Sequence, residues 1–240
     1  LKEKFNDVVD STPGVETVVS YEHVGTDTEL EGVTEIPWTE FVDDRSTSAE
    51  TEIMAADDPA FIAYSSGTTG EPKGTIHTHG SMLAVGTKEG RYHFDVAEGD
   101  VFSWVTDFGW LVVPAFLIGG AQALGATVVL VGGAPNYPEG DRLWNMVERH
   151  GITTLGISPT GVRGMRAESE TPRADHDLST LRTLASTGEP WDEETWNWFF
   201  EAVGDGKLPI INTSGGTELG GGILAPSPLS PLKTGALVGP

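Results

Sequence analysis

The chain has 240 residues, with 36 Asp and Glu against 14 Lys and Arg, a formal net charge of −22, and no cysteine. That charge excludes a nucleic-acid partner, because phosphate backbones need a basic footprint, and the missing cysteine excludes disulfides and thiolate chemistry. No run of about 18 apolar residues is present to span a membrane. The hydrophobic content of 38% suits one large domain or two small ones. The acids are spread along the chain among Trp and apolar runs, which argues against a tail or disorder. We read them as the surface of a halophilic, cytoplasmic protein, soluble through excess charge whose self-repulsion molar salt screens.

Residues 1–10 read as a short helix, with Phe5, Val8 and Val9 at helical spacing, stopped by Pro13 and Gly14. Glu16–His23 reads as a strand. Residues 25–58 read as acidic loop with a short helix around Trp38, Phe41 and Val42. Pro59–Tyr64 is an apolar strand that leads into a Gly/Ser/Thr loop over Ser65–Gly74, and residues 74–78 form another strand. A helix is expected over Gly80–Arg91, a strand over Asp100–Thr106, a helix over Val112–Gly125 and a strand over Thr127–Val131. The helix Asp141–His150 places Leu143, Met146 and Val147 on one face, with Gly151 at the capping position. Ile152–Ile157 and Leu181–Ala185 read as strands around a short helix at 159–167. A helix over 193–203 carries Trp196, Phe199, Phe200 and Val203 at i, i+3, i+4 and i+7 and stops at Gly204. Leu208–Ile211 is the last strand. The alternation predicts an α/β fold with a largely parallel sheet flanked by helices. Ligands in such sheets bind where loops leave the carboxyl ends of the strands.

The most informative segment is Tyr64-Ser-Ser-Gly-Thr-Thr-Gly-Glu-Pro-Lys73-Gly74. Gly67 and Gly70 permit positive φ, so consecutive backbone N–H groups can converge on an anion. Ser65, Ser66, Thr68 and Thr69 add hydroxyl donors and Lys73 adds a cation, a set suited to a polyphosphate. The loop is not a Walker A loop, since Glu71 and Pro72 separate Gly70 from Lys73 and Gly74 follows. This counts against a phosphate-loop NTPase.

Tyr64–Gly74 resembles the signature (Ser/Thr)-(Ser/Gly)-Gly-(Ser/Thr)-Thr-Gly-x-Pro-Lys-Gly of the adenylate-forming superfamily. Segments Gly99–Trp110, Ser186–Pro190 and Asn212–Gly220 resemble, in order and spacing, its acetyl-CoA and medium-chain acyl-CoA synthetase branch. The resemblance covers essentially the whole chain. It implies the large N-terminal domain of that fold, ATP, Mg²⁺ and CoA as cofactors, and a small carboxylic acid as substrate. The acid is expected to become an acyl adenylate with release of pyrophosphate and then pass to CoA, with a role in fatty-acid metabolism. A non-catalytic nucleotide-binding module and a carrier-protein-linked adenylation domain are the alternatives.

Residue by residue, the resemblance implies that Ser65, Ser66, Gly67, Thr68, Thr69, Gly70 and Lys73 hold the β- and γ-phosphates. It implies that Thr217 contacts the α-phosphate and that Glu218 ligates Mg²⁺, leaving Lys73, Thr217 and Glu218 as the catalytic set. Adenine is implied beside Gly188, Glu189 and Pro190 and beside Thr213, Ser214, Gly215 and Gly216. The acyl pocket is implied at Trp110, Leu111, Val112, Thr187 and Gly215. Acetate-specific members read Thr-Trp-Trp-Gln-Thr-Glu across Thr213–Glu218, and their second Trp closes the pocket. Here Ser214-Gly215 stands instead, so an acid larger than acetate is expected. His77 and His79, at i, i+2, could share a strand face as metal ligands, but no third ligand stands out. Trp191, Trp196 and Trp198 read as packing.

The chain opens without a start methionine or a signal peptide and stops in mid-phrase, so it is expected to be a fragment. On that view residues 1–58 trail from an incomplete N-terminal subdomain and residues 59–240 form the nucleotide- and acyl-binding core. The ribose-binding Asp, hinge and mobile C-terminal domain of the family have no counterpart here. The chain alone is expected not to turn over, because positioning supplies much of the rate.

Overall fold

The computed structural model describes residues 2–9, 11–22, 25, 29–65 and 70–237. The chain divides into two compact units, Leu1–Ile53 and Met54–Pro240.

In the first unit, helix α1 (Lys2–Val9) precedes strand β1 (Thr17–Ser20), which pairs in parallel with β2 (Thr34–Pro37), and helix α2 (Trp38–Val42) follows. His23, the expected end of the first strand, lies outside the described residues. Strand β2 corrects the reading of 25–58 as loop and one helix. Its four residues are too few to show an alternation, and the pairing with β1 is what supports them.

The second unit begins with an antiparallel hairpin, β3 (Pro59–Ser65) and β4 (Lys73–Thr78), in which Ser65 faces Lys73. The loop read as phosphate-binding is therefore a hairpin connection. Helix α3 (His79–Lys88) starts at a reciprocal cap. Ser81 N–H donates to Thr78 Oγ1 at 3.2 Å and Thr78 N–H donates to Ser81 Oγ at 3.0 Å. The helix widens into a π-type turn over Glu89–His93.

Five parallel strands follow in the order β6-β5-β7-β8-β9: β5 (Val101–Trp104), β6 (Thr127–Val129), β7 (Thr154–Gly156), β8 (Thr183–Ser186) and β9 (Ile210–Asn212). Alternate residues of these strands feed two cores. Leu155, Leu184 and Ile210 face α4 (Arg142–His150), α5 (Pro159–Glu168) and α7 (Glu193–Trp198), and they pack with Trp144, Val147, Met165 and Phe199. Phe102, Trp104, Ala185 and Ile211 face α3 and the π-type helix Val113–Ala121, and they pack with Phe94, Ala115 and Phe116. Helices therefore cover both faces of a parallel sheet, as the alternation predicts. Trp196 and Trp198 are buried, and Trp191 lies edge-on to Trp196 with ring centroids 5.2 Å apart. The three indoles are packing residues.

Gly151 closes α4 with φ 62, the left-handed cap that its position predicts. The short helix α6 (Pro172–Asp175) is additional to the reading from sequence. So is a second antiparallel hairpin, β10 (Ser214–Gly216) and β11 (Gly221–Leu224), which corrects the reading of Leu208–Ile211 as the last strand. Glycine-rich sequence has almost no strand propensity, and here neighbouring elements hold the pairing together.

Candidate active site

The carboxyl ends of β5, β8 and β9 meet at one edge of the parallel sheet. Beyond β5 the chain reaches Trp110–Val112, beyond β8 it turns through Thr187–Pro190, and beyond β9 it passes Thr213 into β10. These stretches line one cavity of about 540 Å³. Trp110, Leu111, Val112, Thr187, Gly188, Glu189, Pro190, Thr213, Ser214, Gly215, Gly216 and Thr217 all reach it. The expected adenine and acyl residues thus converge on one space. Ala115, Phe116, Asn212, Gly220–Gly222, Gly235 and Leu237 also line it and were not foreseen. Ala115 and Phe116 follow Val112 at i+3 and i+4 of the helix, a periodicity that could have found them. The glycines of β11 depend on a hairpin the sequence does not announce.

Of the expected phosphate loop, Ser66, Gly67, Thr68 and Thr69 lie outside the described residues. Its two ends are placed. Ser65 ends β3, Gly70 has a positive φ of 89, and Lys73 opens β4, exposed and outside the cavity lining. Ser65 Oγ donates to Glu218 Oε1 at 3.1 Å. His77 Nε2 lies 2.8 Å from the Thr217 carbonyl oxygen. A carbonyl only accepts, so Nε2 carries the proton. Thr217 and Glu218 form the turn between β10 and β11, and these two bonds tie that turn to the first hairpin. His77 is buried in β4, whereas His79 opens α3 and is exposed, so the two do not share a strand face. Among the described residues no group of three or more His, Cys, Asp and Glu is placed to hold a metal ion.

Several side chains at the cavity edge are already committed. Glu189 accepts from Thr160 N–H at 2.7 Å and pairs with Arg163 at 3.0 Å. Hydrogen bonding from Thr160, assisted by the Arg163 charge, holds its carboxyl below the usual range. The Glu189 side chain thus braces the turn against α5. Arg163 also pairs with Asp192 at 3.1 Å. Asp192 caps α7 by accepting from Thr195 N–H at 2.8 Å, and this bond is the first cause that lowers its carboxyl to about 2. The Thr187 hydroxyl donates to the Thr213 carbonyl at 2.8 Å and ties the loop after β8 to the loop after β9. The Thr213 side chain is buried, and its Oγ1 has no hydrogen-bond partner among the described residues.

A parallel sheet with its cavity at the carboxyl edge, and a glycine-rich hairpin lining it, defines an α/β ligand-binding fold. The family model for AMP-binding enzymes matches residues 2–239, and the chain belongs to that family. It is similar to the acetyl-coenzyme A synthetases of Syntrophobacter fumaroxidans (35% identical over all of this chain and 37% of that protein) and Pseudoalteromonas translucida (37% identical over all of this chain and 38% of that protein). Among solved structures it is similar to the acetoacetyl-CoA synthetase of Streptomyces lividans, with a TM-score of 0.81 and 29% identity over 98% of this chain and 36% of that one. The chain therefore spans a little over a third of the length of these relatives.

Proposed function

We propose that the whole protein carrying this chain is an AMP-forming acyl-CoA ligase. Its substrate carboxylate attacks the α-phosphate of ATP, the P–O bond to pyrophosphate breaks, and the acyl adenylate passes its acyl group to the CoA thiol with release of AMP. The observation that carries the reading is the single cavity in which Thr187–Pro190, Thr213–Thr217 and Trp110–Val112 meet. One part suits a flat base held by backbone turns, and another suits an apolar acyl group. Thr217, where the two meet, stands in contact with His77 and next to Glu218.

In this reading the loop between Ser65 and Lys73 binds the β- and γ-phosphates, and Thr217 orients the α-phosphate. The bonds from His77 and Ser65 hold the Thr217–Glu218 turn in place before reaction, so little reorganisation is needed there as charge develops. Glu218 fits a Mg²⁺ ion and would be its protein ligand. It is an exposed carboxylate at the turn, and such ions take one or two carboxylates and draw their other ligands from substrate and water. When bound, the ion would neutralise phosphate charge. Ser65 then fixes Glu218 from the other hairpin.

We further propose that the acid is larger than acetate. Overall identity to acetyl-coenzyme A synthetases reports the shared fold, whereas acid length depends on the few residues that wall the pocket. Gly215 contributes no side chain there, and the wall is the backbone of β11. Each further buried methylene adds about 0.8 kcal/mol, close to fourfold in affinity. We also propose that the acidic surface is a halophilic adaptation.

The test is acid-dependent ATP–pyrophosphate exchange by the whole protein, in molar KCl, with acids from acetate upward. Exchange that strengthens with acid length supports both the ligase reading and the pocket argument. Exchange best with acetate overturns the pocket argument. No exchange with any acid, or ADP as product, overturns the ligase reading.

A further inference from the structure

One charged side chain lies entirely inside the protein behind the cavity. Glu89, at the start of the π-type turn after α3, has 0% relative exposure. Its Oε1 accepts from the Gly222 N–H at 2.8 Å and pairs with Lys88 Nζ at 2.7 Å. Its Oε2 has no hydrogen-bond partner among the described residues, and His93 Nε2 stands 3.9 Å away. The other His93 nitrogen, Nδ1, is 2.9 Å from the Pro226 carbonyl. A carboxylate kept from water with half its acceptors unused is costly, and an apolar side chain of that size would fill the space at lower cost. What a glutamate supplies here is a charged acceptor that reaches Gly222.

Gly222 is a cavity residue, and it sits opposite Gly215 in the β10–β11 ladder. Strand β11 comes very close to α3. A Cβ on Gly221 would lie 2.4 Å from Val85 Cγ1, and one on Gly222 would lie 2.6 Å from Thr213 Oγ1. Bare backbone therefore forms this wall, and a bare wall has no side chain of its own to set its position. The bond to Glu89 sets it from behind.

We propose that Glu89 is a positioning residue that determines acid specificity. By holding Gly222 against the end of α3, it fixes the separation of β11 from the cavity and so the depth of the acyl pocket at Gly215. The proposal rests on the acyl-adenylate reading of the cavity. It assigns Glu89 no contact with substrate.

Two conservative variants of the whole protein separate reach from charge. Glu89→Asp keeps the carboxylate but is one methylene too short for Gly222. Glu89→Gln keeps the reach and an acceptor oxygen but loses the charge. The readout is the ratio of kcat/KM for hexanoate to that for acetate, in ATP–pyrophosphate exchange. One methylene of pocket depth is worth 10–200-fold in discrimination, so Glu89→Asp is expected to move the ratio at least about tenfold while Glu89→Gln leaves it within about twofold. A purely structural role would lower thermal stability or total activity in both variants and leave the ratio alone. An unmoved ratio in Glu89→Asp, or a ratio moved equally in both, overturns the proposal. If Glu89→Asp does not fold, Glu89→Ala takes its place in the comparison. Absence of exchange in the unsubstituted protein would instead overturn the ligase reading itself, so the two failures are distinguishable.

Discussion

Replacing Gly215 tests the pocket wall most directly. A Cβ built there lies 2.0 Å from the Gly221 carbonyl oxygen, 2.8 Å from its carbon and 3.1 Å from Gly222 Cα. Real Cβ atoms keep beyond 3.0 Å of such neighbours, so β11 must retreat by at least the missing 1.0 Å. Behind it stand Val85 and the Glu89 anchor. Overpacking against backbone costs about 1–3 kcal/mol, and a unit of this size loses roughly 2–4 °C of midpoint per kcal/mol. Gly215→Ala is therefore expected to lower the thermal midpoint of the whole protein by several degrees and to weaken exchange with every acid. Gly215→Trp restores the residue that acetate-specific members carry, yet it is expected to do worse. Its Cβ is directed at the β11 backbone, so an indole, which buries on the order of 200 Å², displaces β11 before it can narrow the cavity. Thermal unfolding and the acid series of pyrophosphate exchange, run on both variants, read the two effects separately. A Gly215→Trp protein that melts like the original and prefers acetate would refute the reasoning, because it would show β11 free to move aside.

Glu218→Ala is expected to lower exchange by about 10²-fold or more, the scale for one preorganised electrostatic group, while stability changes by no more than about 0.5 kcal/mol because the side chain is exposed; paired kinetics and chemical denaturation check both. Asp192 has its carboxyl lowered from 3.8 to about 2 by the Thr195 cap, so its stabilisation is full above about pH 4 and is lost as pH falls towards 2. The gap in urea midpoint between the original protein and Asp192→Ala should thus be constant near neutrality and close in acid; a gap that widens on acidification contradicts this sign. Raising KCl from about 0.1 to 1 M shortens the screening length from about 10 to 3 Å, so the thermal midpoint should rise with salt if the acidic surface is self-repelling. A flat or falling midpoint refutes the halophilic reading.

The parallel sheet was legible because each of its strands is a short apolar run, and helices between them stop at glycine caps, as at Gly151 and Gly204. The two hairpins differ in this respect. β3 and β4 carry Phe61, Ile62 and Ile76, and both strands were foreseen. β10 and β11 are mostly glycine, and their pairing becomes visible only when α3 is placed behind them. The cavity followed the same division. Residues in loops after apolar strands were found in advance, whereas Gly220–Gly222 and Glu89 were not. A glutamate beside a lysine on a helix in so acidic a chain reads as a solvated face. It is the widening of α3 at Glu89 that accompanies its burial, and no residue type in the segment Lys88–His93 signals that widening.

The net charge and the proposed substrate are in tension, because a protein at −22 repels a polyphosphate. Two features of the site ease it. The groups assigned to the phosphates are neutral donors and one lysine on a hairpin, so binding depends on contacts within hydrogen-bond range. Two carboxylates near the cavity are paired to cations, Glu189 to Arg163 and Glu89 to Lys88, and Glu218 is left to the proposed metal ion. In molar salt the field of the remaining acids is screened over about 3 Å, no shorter than the contacts that bind a nucleotide. Salt then removes the repulsion and spares the attraction. A basic nucleotide site, whose affinity rests on long-range attraction, would weaken under the same conditions.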